Sequence, residues 1–252
     1  MRLSPFSRLD AFFSPAPAPK RVAFLTGRPF AHRGLHGAAV PENSRAAFAA
    51  AIALGHGIEC DVQASRDRAA MVFHDEQLDR LTGDSGPIAA RTAAALAAIR
   101  LANGEGVPQL PEMLALVAGR APLLIEVKAK ERAVAALCLS VRRALEGYRG
   151  PAAVMSFNPQ VGHWFAEHAP RVVRGLVVTE AEEGGLKGRA KRHLALWRAR
   201  PDFLAYDVRD LPSRFAAAQR ARGLPVLTWT VRGEAAEALA SAHADEIIYE
   251  RT

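Results

Sequence analysis

The sequence is poor in cysteine and contains no long apolar run, and both absences exclude whole classes of protein. Its two cysteines, Cys60 and Cys138, cannot build a disulfide framework, and no C-x-x-C pair is present for zinc or redox chemistry. No segment reaches the roughly 18 consecutive apolar residues of a membrane span, and the first residues lack the unbroken apolar core of a signal peptide. We therefore expect a cytoplasmic protein.

Aromatic residues are also scarce, at 7% of the 252 residues, and few are interleaved with arginines as a single-strand binder requires. The 33 basic and 26 acidic residues give a net charge of +7, spread over Arg-rich helical stretches rather than gathered in one tract. We therefore expect no nucleic-acid partner. An anionic small-molecule substrate, or attraction to acidic lipid headgroups, accounts for the same charge. The oligomeric state is not predicted by any feature of the sequence.

Residues 1–28 are predicted to form an N-terminal arm and a Pro-rich linker. Pro15, Pro17 and Pro19 favour a stiff, extended linker. We expect the arm to pack on the domain that follows, and the alternative is a weak contact with a membrane surface. That contact would use four apolar side chains, Phe6, Leu9, Phe12 and Phe13.

From residue 29 onward, strand-like and helix-like segments alternate, which is typical of a parallel α/β sheet. The predicted strands are rich in Leu, Ile and Val, as strands covered on both faces should be. They lie at Pro29–Arg33, Gly57–Gln63, Ala70–His74, Leu123–Lys128, Ala152–Phe157, Val172–Val178, Phe203–Val208, Pro225–Val231 and Glu246–Tyr249. The predicted helices fall between most of them, at Ser44–Leu54, Pro111–Ala118, Glu131–Gly147, Pro159–His168, Gly185–Arg200, Pro212–Arg222 and Glu234–Ala242.

Eight of these strands predict a TIM-type (β/α)8 barrel in a single domain, residues 29–252. The gap after Gly57–Gln63 is too short for a crossover helix, so Ala70–His74 is expected to return beside it as an antiparallel hairpin. Residues 75–110 break the strand–helix rhythm. We expect them to form a small insertion after the second strand, covering the mouth of the barrel.

Charged residues gather at the carboxyl ends of the predicted strands, where barrel enzymes hold their reactive groups. His32 and Arg33 end the first strand. Histidine is the natural general acid or base near neutral pH, and arginine binds phosphate through two parallel hydrogen bonds.

The second strand carries two carboxylates, Glu59 and Asp61, which share one face because strand side chains alternate. Cys60 points to the other face and is expected to be a small core residue. Two carboxylates between apolar neighbours are costly unless a cation compensates them. Oxygen ligands of this kind suit calcium or magnesium. The alternative is a pair of salt bridges to arginines of the barrel.

Two further predicted strand ends also carry charged residues. His74 and Asp75 end the hairpin, while Glu126 and Lys128 share one face of the next strand because they are two residues apart. Structural ion pairs rarely need so many charged groups at successive strand ends. The combination predicts a metal-assisted phosphoryl site.

Several motifs occur in order between residue 30 and about residue 231, namely His32-Arg33-Gly34, Pro41-Glu42-Asn43-Ser44, Glu59-Cys60-Asp61-Val62, His74-Asp75, Leu78-Asp79-Arg80-Leu81-Thr82, Ile125-Glu126-Val127-Lys128, Ser156-Phe157 and Trp229-Thr230-Val231. In these motifs the sequence resembles the glycerophosphodiester phosphodiesterase family, within the wider set of phosphatidylinositol-phospholipase-C-like barrel phosphodiesterases.

The resemblance implies metal-dependent hydrolysis of glycerophosphodiesters to an alcohol and sn-glycerol 3-phosphate, by attack of either the glycerol 2-hydroxyl or water. It implies that His32 and His74 are the general acid and base. It further implies one divalent cation, calcium or magnesium, on three ligands: Glu59, Asp61 and Glu126. Substrate contacts are expected from Arg33 and Lys128 at the phosphate and from Phe157 and Trp229 as an apolar wall, although both aromatic residues also suit plain packing.

The C-terminal part departs from the family pattern. Arg232 follows Trp229-Thr230-Val231 where the family usually has Asn, and it is either a second anion contact or a solvated loop arginine. This departure leaves the headgroup preference open. The alternative functions are a phospholipase D-like enzyme acting on lysophospholipid or another phosphodiester at a membrane surface, a non-catalytic glycerophosphate-binding barrel, and a sugar-phosphate isomerase or lyase.

Overall fold

The computed structural model describes residues 5–129, 133–181 and 184–251. The described strands are β1 (Phe30–Ala31), β2 (Gly57–Ala64), β3 (Ala70–Val72), β4 (Leu123–Val127), β5 (Ala152–Ser156), β6 (Val173–Val178), β7 (Phe203–Asp207), β8 (Val226–Val231) and β9 (Glu246–Tyr249). The described α-helices are α1 (Pro5–Phe13), α2 (Pro19–Val22), α3 (Arg45–Ala53), α4 (Ala93–Ala98), α5 (Leu110–Val117), α6 (Ala135–Leu145), α7 (Pro159–His168), α8 (Gly185–Ala199), α9 (Arg214–Ala221) and α10 (Gly233–His243). The start of the predicted helix Glu131–Gly147 lies outside the described residues.

The strand order is β1-β9-β8-β7-β6-β5-β4-β2-β3, and β1 also pairs with β2. Setting aside the antiparallel β3, the remaining eight strands therefore form the closed sheet of a TIM-type (β/α)8 barrel, which confirms the predicted fold class. By internal contacts the chain divides into two compact units. One comprises residues 30–152, and the other comprises the residues up to 29 together with residues 153–250. In the part of the chain that the structure describes, no helix has the length and apolar character needed to cross a membrane.

In the unit of residues 30–152, β2 is the central strand. It pairs in parallel with β1 and β4, and its C-terminal half pairs antiparallel with β3, which confirms the predicted hairpin. The β2–β4 register places Asp61 opposite Glu126. The carboxylates of two different strands are thus neighbours on the sheet.

The first strand is shorter than predicted, because the chain turns at Arg33 and Gly34. Both residues have a positive φ, of 55° and 76°, so His32 and Arg33 lie in a turn after β1. A Cβ at position 34 would lie 2.8 Å from the Cβ of Ala47 in α3, so this close approach requires glycine. The hydroxyl of Ser44 accepts a hydrogen bond from the Ala47 N–H and caps α3.

The predicted insertion has more structure than its sequence indicates. It contains a short 3-10 turn at Ile88–Ala90 and α4, which begins after Thr92, whose hydroxyl caps the helix. Both segments contribute to a buried apolar cluster that includes Leu78, Leu96 and Val107 of the insertion and Met71 of β3. The position of the insertion over the barrel mouth and the single-domain organisation of residues 29–252 stay predictions.

In the second unit, β5 to β9 run parallel to one another, and α8 packs beside β6. Leu176, Leu196 and Leu204 belong to one buried cluster of this unit, together with Tyr206 and Phe215. The N-terminal arm lies within the same unit, where α1 contacts α8.

Candidate active site

Three carboxylates converge at one end of the β2–β4 pair. Glu59 and Asp61 extend from the same face of β2, and Glu126 extends from β4. One oxygen from each of the three groups lies within 4.8 Å of the others. Both β2 carboxylates are buried, with only 1% of each residue exposed. The sequence prediction that these groups meet is therefore confirmed.

The charge of Asp61 is compensated within the protein. Lys128 Nζ and Arg33 Nε each lie 3.4 Å from its carboxylate oxygens, and the Asn43 side-chain amide donates to Oδ2 at 3.0 Å. Burial alone would raise the pKa of Asp61, but the charges of Lys128, His74 and Arg33 hold it below its usual value. The salt-bridge alternative therefore accounts for this one carboxylate.

It does not account for Glu59, and among the described residues Glu126 has only the Lys128 ammonium that it shares with Asp61. Glu59 Oε2 accepts a hydrogen bond from the Arg33 backbone N–H at 3.0 Å, whereas none of the described residues donates one to its buried Oε1. Burial, followed by repulsion from Asp61 and Glu126, raises the pKa of Glu59 well above its usual value. Burial and repulsion from Asp61 likewise raise the pKa of Glu126 to about 7, although Lys128 Nζ lies 3.4 Å from its Oε1.

These observations fit a site for a hard divalent cation. A buried carboxylate oxygen without a donor, beside two further carboxylates, costs free energy unless a positive charge sits among them. The donor set consists of oxygen atoms alone, which is the preference of calcium and magnesium. Glu59, Asp61 and Glu126 could therefore hold one such ion.

A second acidic group, formed by Glu42, His74 and Asp75, also brings its ligand atoms within 4.8 Å of one another. Both carboxylates of this group are already paired with arginines. Arg80 donates to both Glu42 and Asp75, and Arg33 donates to Glu42 at 2.8 Å. Burial would raise the pKa of Glu42, but Arg80 and Arg33 hold it below its usual value. This group is better explained as an ion-pair network than as a metal site.

The network orients His74. Its Nδ1 lies 2.7 Å from Asp75 Oδ1, and the hydrogen bond from Arg80, followed by that from His74, lowers the pKa of Asp75 to about 2. An ionised carboxylate can only accept, so the proton of this hydrogen bond is on Nδ1. His74 Nε2 is then the ring nitrogen that can exchange a proton with a ligand. The loop that carries His74 is fixed by Gln63, whose amide nitrogen lies 2.7–2.9 Å from the carbonyl oxygens of residues 73, 74 and 75.

His32 lies in the turn after β1, directly before Arg33. Its Nε2 is 3.8 Å from Glu59 Oε2, and its side chain is largely buried. Arg33 is held in the same turn by its φ of 55° and by the backbone hydrogen bond from Asn43 N–H to its carbonyl oxygen. The turn thus brings a histidine, a guanidinium and a backbone N–H to the carboxylates.

Four residues of the site were not assigned a role from the sequence: Glu42, Asn43, Gln63 and Arg80. Glu42 and Asn43 directly precede the Ser44 cap of α3, so the start of that helix was the available signal. The positive φ of Asn43, at 54°, is typical of Asn in a turn. Arg80 belongs to the motif Leu78-Asp79-Arg80-Leu81-Thr82, but the motif does not indicate its partners, which lie 5 and 38 residues away in the chain.

Phe157 and Trp229 belong to the second unit, where their rings meet edge to face with centroids 5.5 Å apart. The Trp229 indole N–H donates to the Ala205 carbonyl oxygen at 3.0 Å, so this residue has a packing role. Phe157 is 46% exposed. The substrate contacts of both residues stay predictions. Arg232 pairs with Glu250, at 2.6 Å.

Cys60 is fully buried on the face of β2 opposite the carboxylates, and burial raises the pKa of its thiol well above the usual value. We expect Cys60→Ser to leave turnover largely unchanged. The variant should unfold at a lower temperature, because a buried hydroxyl without a partner costs about 1–3 kcal/mol. Turnover and thermal unfolding measured together check both effects. A folded variant without activity would show that Cys60 reaches the site.

A (β/α)8 barrel with carboxylates, histidines and cations at the ends of its strands belongs to the class of barrel enzymes. The profile of the glycerophosphoryl diester phosphodiesterase family matches residues 32–252. The chain therefore belongs to that family.

Individual relatives agree with this assignment. A glycerophosphodiester phosphodiesterase of Caldanaerobacter subterraneus is 38% identical over 108 residues, which are 40% of this chain and 44% of that protein. The aligned part thus spans less than half the length of that curated relative. A solved glycerophosphodiester phosphodiesterase from Agrobacterium tumefaciens is 27% identical, with a TM-score of 0.66, over 89% of this chain and 96% of that one.

A phosphodiesterase of Oleispira antarctica, solved in complex with the product sn-glycerol-3-phosphate, has a TM-score of 0.78 over 89% of this chain and 93% of its own. Its identity is 23%, so this likeness concerns the fold alone.

Proposed function

We propose that the protein hydrolyses glycerophosphodiesters to an alcohol and sn-glycerol 3-phosphate with the help of one divalent cation. The observation that carries the proposal is the convergence of Glu59, Asp61 and Glu126 beside two cationic side chains, with a buried carboxylate oxygen that accepts no hydrogen bond from the described residues. Family membership supports the reaction class. The product bound to the Oleispira antarctica phosphodiesterase supports the same choice of substrate.

The three carboxylates would hold the cation. When bound, a divalent cation stabilises negative charge that develops on phosphoryl oxygens and lowers the pKa of a coordinated hydroxyl. The protein contributes the arrangement: Asn43 holds Asp61, and the Arg33 backbone N–H holds Glu59, so both β2 carboxylates keep their orientation. Fixing ligands in this way is the usual role of groups around a metal site.

Arg33 and Lys128 are the proposed phosphate contacts. Burial would lower the pKa of each, but the neighbouring carboxylates raise both above their usual values, so both side chains are charged at neutral pH. Charged donors held in a buried site stabilise the oxygens of a phosphoryl transition state without having to reorganise. Arg33 also shares Glu42 with Arg80, which limits its freedom to move away.

His32 and His74 are the proposed general acid and base. One takes the proton of the attacking oxygen as that oxygen bonds to phosphorus, and the other gives a proton to the departing alcohol oxygen as its bond to phosphorus breaks. If the attacking oxygen is the glycerol 2-hydroxyl, a cyclic phosphate forms and water opens it in a second step, which yields sn-glycerol 3-phosphate. Asp75 is a positioning residue in this proposal, since its hydrogen bond to Nδ1 leaves Nε2 of His74 for the substrate. The presence of both histidines and all three carboxylates argues against a barrel that only binds glycerophosphate. These five residues are His32, His74, Glu59, Asp61 and Glu126.

The proposal is tested by identifying the product. With glycerophosphocholine or glycerophosphoethanolamine and either calcium or magnesium, we expect sn-glycerol 3-phosphate and the free alcohol in equal amounts. The same protein should release little product from lysophosphatidylcholine presented on vesicles. The reverse preference would favour the lysophospholipid alternative, and ligand binding without any product would favour the non-catalytic one.

A further inference from the structure

An exposed apolar surface lies on the N-terminal arm and the helix beneath it, remote in sequence from the carboxylates. We define this α1–α8 surface by its exposed apolar side chains, Leu9, Phe12 and Phe13 on α1 and Leu186 and Leu194 on α8. Phe12 is 78% exposed and Leu186 is 83% exposed. Single exposed apolar residues are ordinary, but several large ones on two packed helices indicate an interaction surface.

The orientation of α1 is fixed by a buried carboxylate. Asp10 accepts hydrogen bonds from the His193 ring at 2.8 Å, the Trp197 indole N–H at 2.8 Å and the Gln219 amide at 2.7 Å. The Phe6 ring stacks on His193 with centroids 4.4 Å apart. The arm is therefore anchored by one face of its helix, and Phe12 on the opposite face points away from α8.

Contacts between aromatic rings join the apolar side chains of α1 to α8. The Phe12 and Phe13 rings meet edge to face at 5.0 Å, and Phe13 lies 5.3 Å from Trp197 of α8. On α8, Leu186 and Leu194 are eight residues apart, with Ala190 between them, so all three lie along one stripe of the helix. The aromatic contacts thus reach α8 at Trp197, and the leucine stripe runs along α8 itself.

The charge on these two helices has one sign. Gly185–Ala199 contains two lysines and three arginines and no acidic residue. On α1 the exposed charge is Arg8, because the acidic Asp10 is buried and hydrogen-bonded. Beside α1, a cavity bounded by α1, α8 and α9 is lined by four arginines, Arg189, Arg192, Arg214 and Arg222, and also by Glu180 and Asp210. Arg192 pairs with Glu180 at 2.9 Å, so the net positive charge available to a ligand comes from the remaining basic side chains.

We propose that the α1–α8 surface docks the protein on an anionic lipid membrane. Exposed Phe and Leu side chains would enter the boundary between headgroups and acyl chains, while the surrounding Lys and Arg side chains attract the anionic headgroups. A neutral or basic protein partner would not use this positive charge. This role is separate from hydrolysis and does not depend on the proposed function.

The test is binding of the full-length protein to vesicles in the absence of substrate. The protein should bind vesicles that contain about one-third phosphatidylglycerol at least about tenfold more tightly than vesicles of phosphatidylcholine alone. High salt should remove most of this difference in affinity. The double variant Phe12→Ser/Leu186→Ser should lose at least about tenfold in affinity for the anionic vesicles, because both side chains leave water on docking. Arg8→Glu/Lys187→Glu should abolish the preference for anionic lipid.

The matched control is Leu54→Ser, a 45% exposed leucine at the end of α3 in the other unit, which should bind like the wild type. Hydrolysis of soluble glycerophosphocholine should be the same in all these variants. Equal binding to neutral and anionic vesicles, or no binding to either, would overturn the proposal. A concentration-dependent dimer that Phe12→Ser/Leu186→Ser abolishes, without vesicle binding, would instead assign the surface to a second copy of the chain.

Discussion

Glu59→Gln is expected to weaken divalent-cation binding by at least about 100-fold, since even the loss of groups that only support metal ligands typically costs 10–100-fold. The glutamine carbonyl can still accept the hydrogen bond from the Arg33 N–H. Its NH2 group then takes the place of Oε1, the oxygen to which no described residue donates. A donor replaces an acceptor where the cation would bind. Isothermal titration with calcium or magnesium measures the loss of affinity, and turnover at rising metal concentration should recover in part.

The fold of this variant should be intact, because removing one of three crowded carboxylates lessens their mutual repulsion in the metal-free protein. We expect metal-free Glu59→Gln to unfold at the same temperature as the wild type or a higher one. Cys60→Ser, at the next position on the opposite face of β2, is the matched control and should bind metal normally. Wild-type metal binding by Glu59→Gln would discard the assignment of the three ligands.

His32→Ala is expected to lower turnover by about 10²–10⁴-fold, the usual contribution of one general acid or base. Its metal affinity should stay close to that of the wild type, because His32 is not one of the three proposed ligands. His74→Ala should lose turnover to a similar extent. Asp75→Asn should lose less, since the asparagine keeps a hydrogen-bonding group beside Nδ1 but removes the charge that fixes the proton there. Steady-state kinetics at saturating metal measure all three effects.

A second substrate separates the roles of the two histidines. A glycerophosphodiester with a nitrophenol leaving group needs little help from a general acid, because the phenolate departs without a proton. The variant of the acid histidine should therefore recover much of its activity on this substrate, and the variant of the base histidine should not. If His32→Ala kept wild-type turnover on both substrates, His32 would be removed from the acid–base pair.

The adjacency of the carboxylates could be predicted from the sequence, because two simple regularities determine it. Strand alternation puts Glu59 and Asp61 on one face, and a parallel neighbour brings Glu126 beside Asp61. The barrel followed from the same alternation of strands and helices.

Features set by long-range or unusual backbone geometry could not be predicted in this way. The turn at Arg33 requires a positive φ that a non-glycine residue rarely adopts, so the first strand was predicted too long. Arg80 of the insertion pairs with Glu42, which lies 38 residues earlier in the chain, and Asp10 pairs with His193, 183 residues later. Neither contact can be inferred from the alternation of residues along a strand or from the order of strands and helices.

Hydrolysis of glycerophosphodiesters should require a divalent cation held by Glu59, Asp61 and Glu126. The most direct measurement is the release of sn-glycerol 3-phosphate from glycerophosphocholine by protein that has been stripped with a chelator and then supplied with calcium or magnesium. We predict no release from the stripped protein, recovery with added metal, and little recovery for Glu59→Gln at the metal concentration that saturates the wild type. Equal release by stripped and metal-supplied protein would show that hydrolysis does not depend on a cation at the three carboxylates.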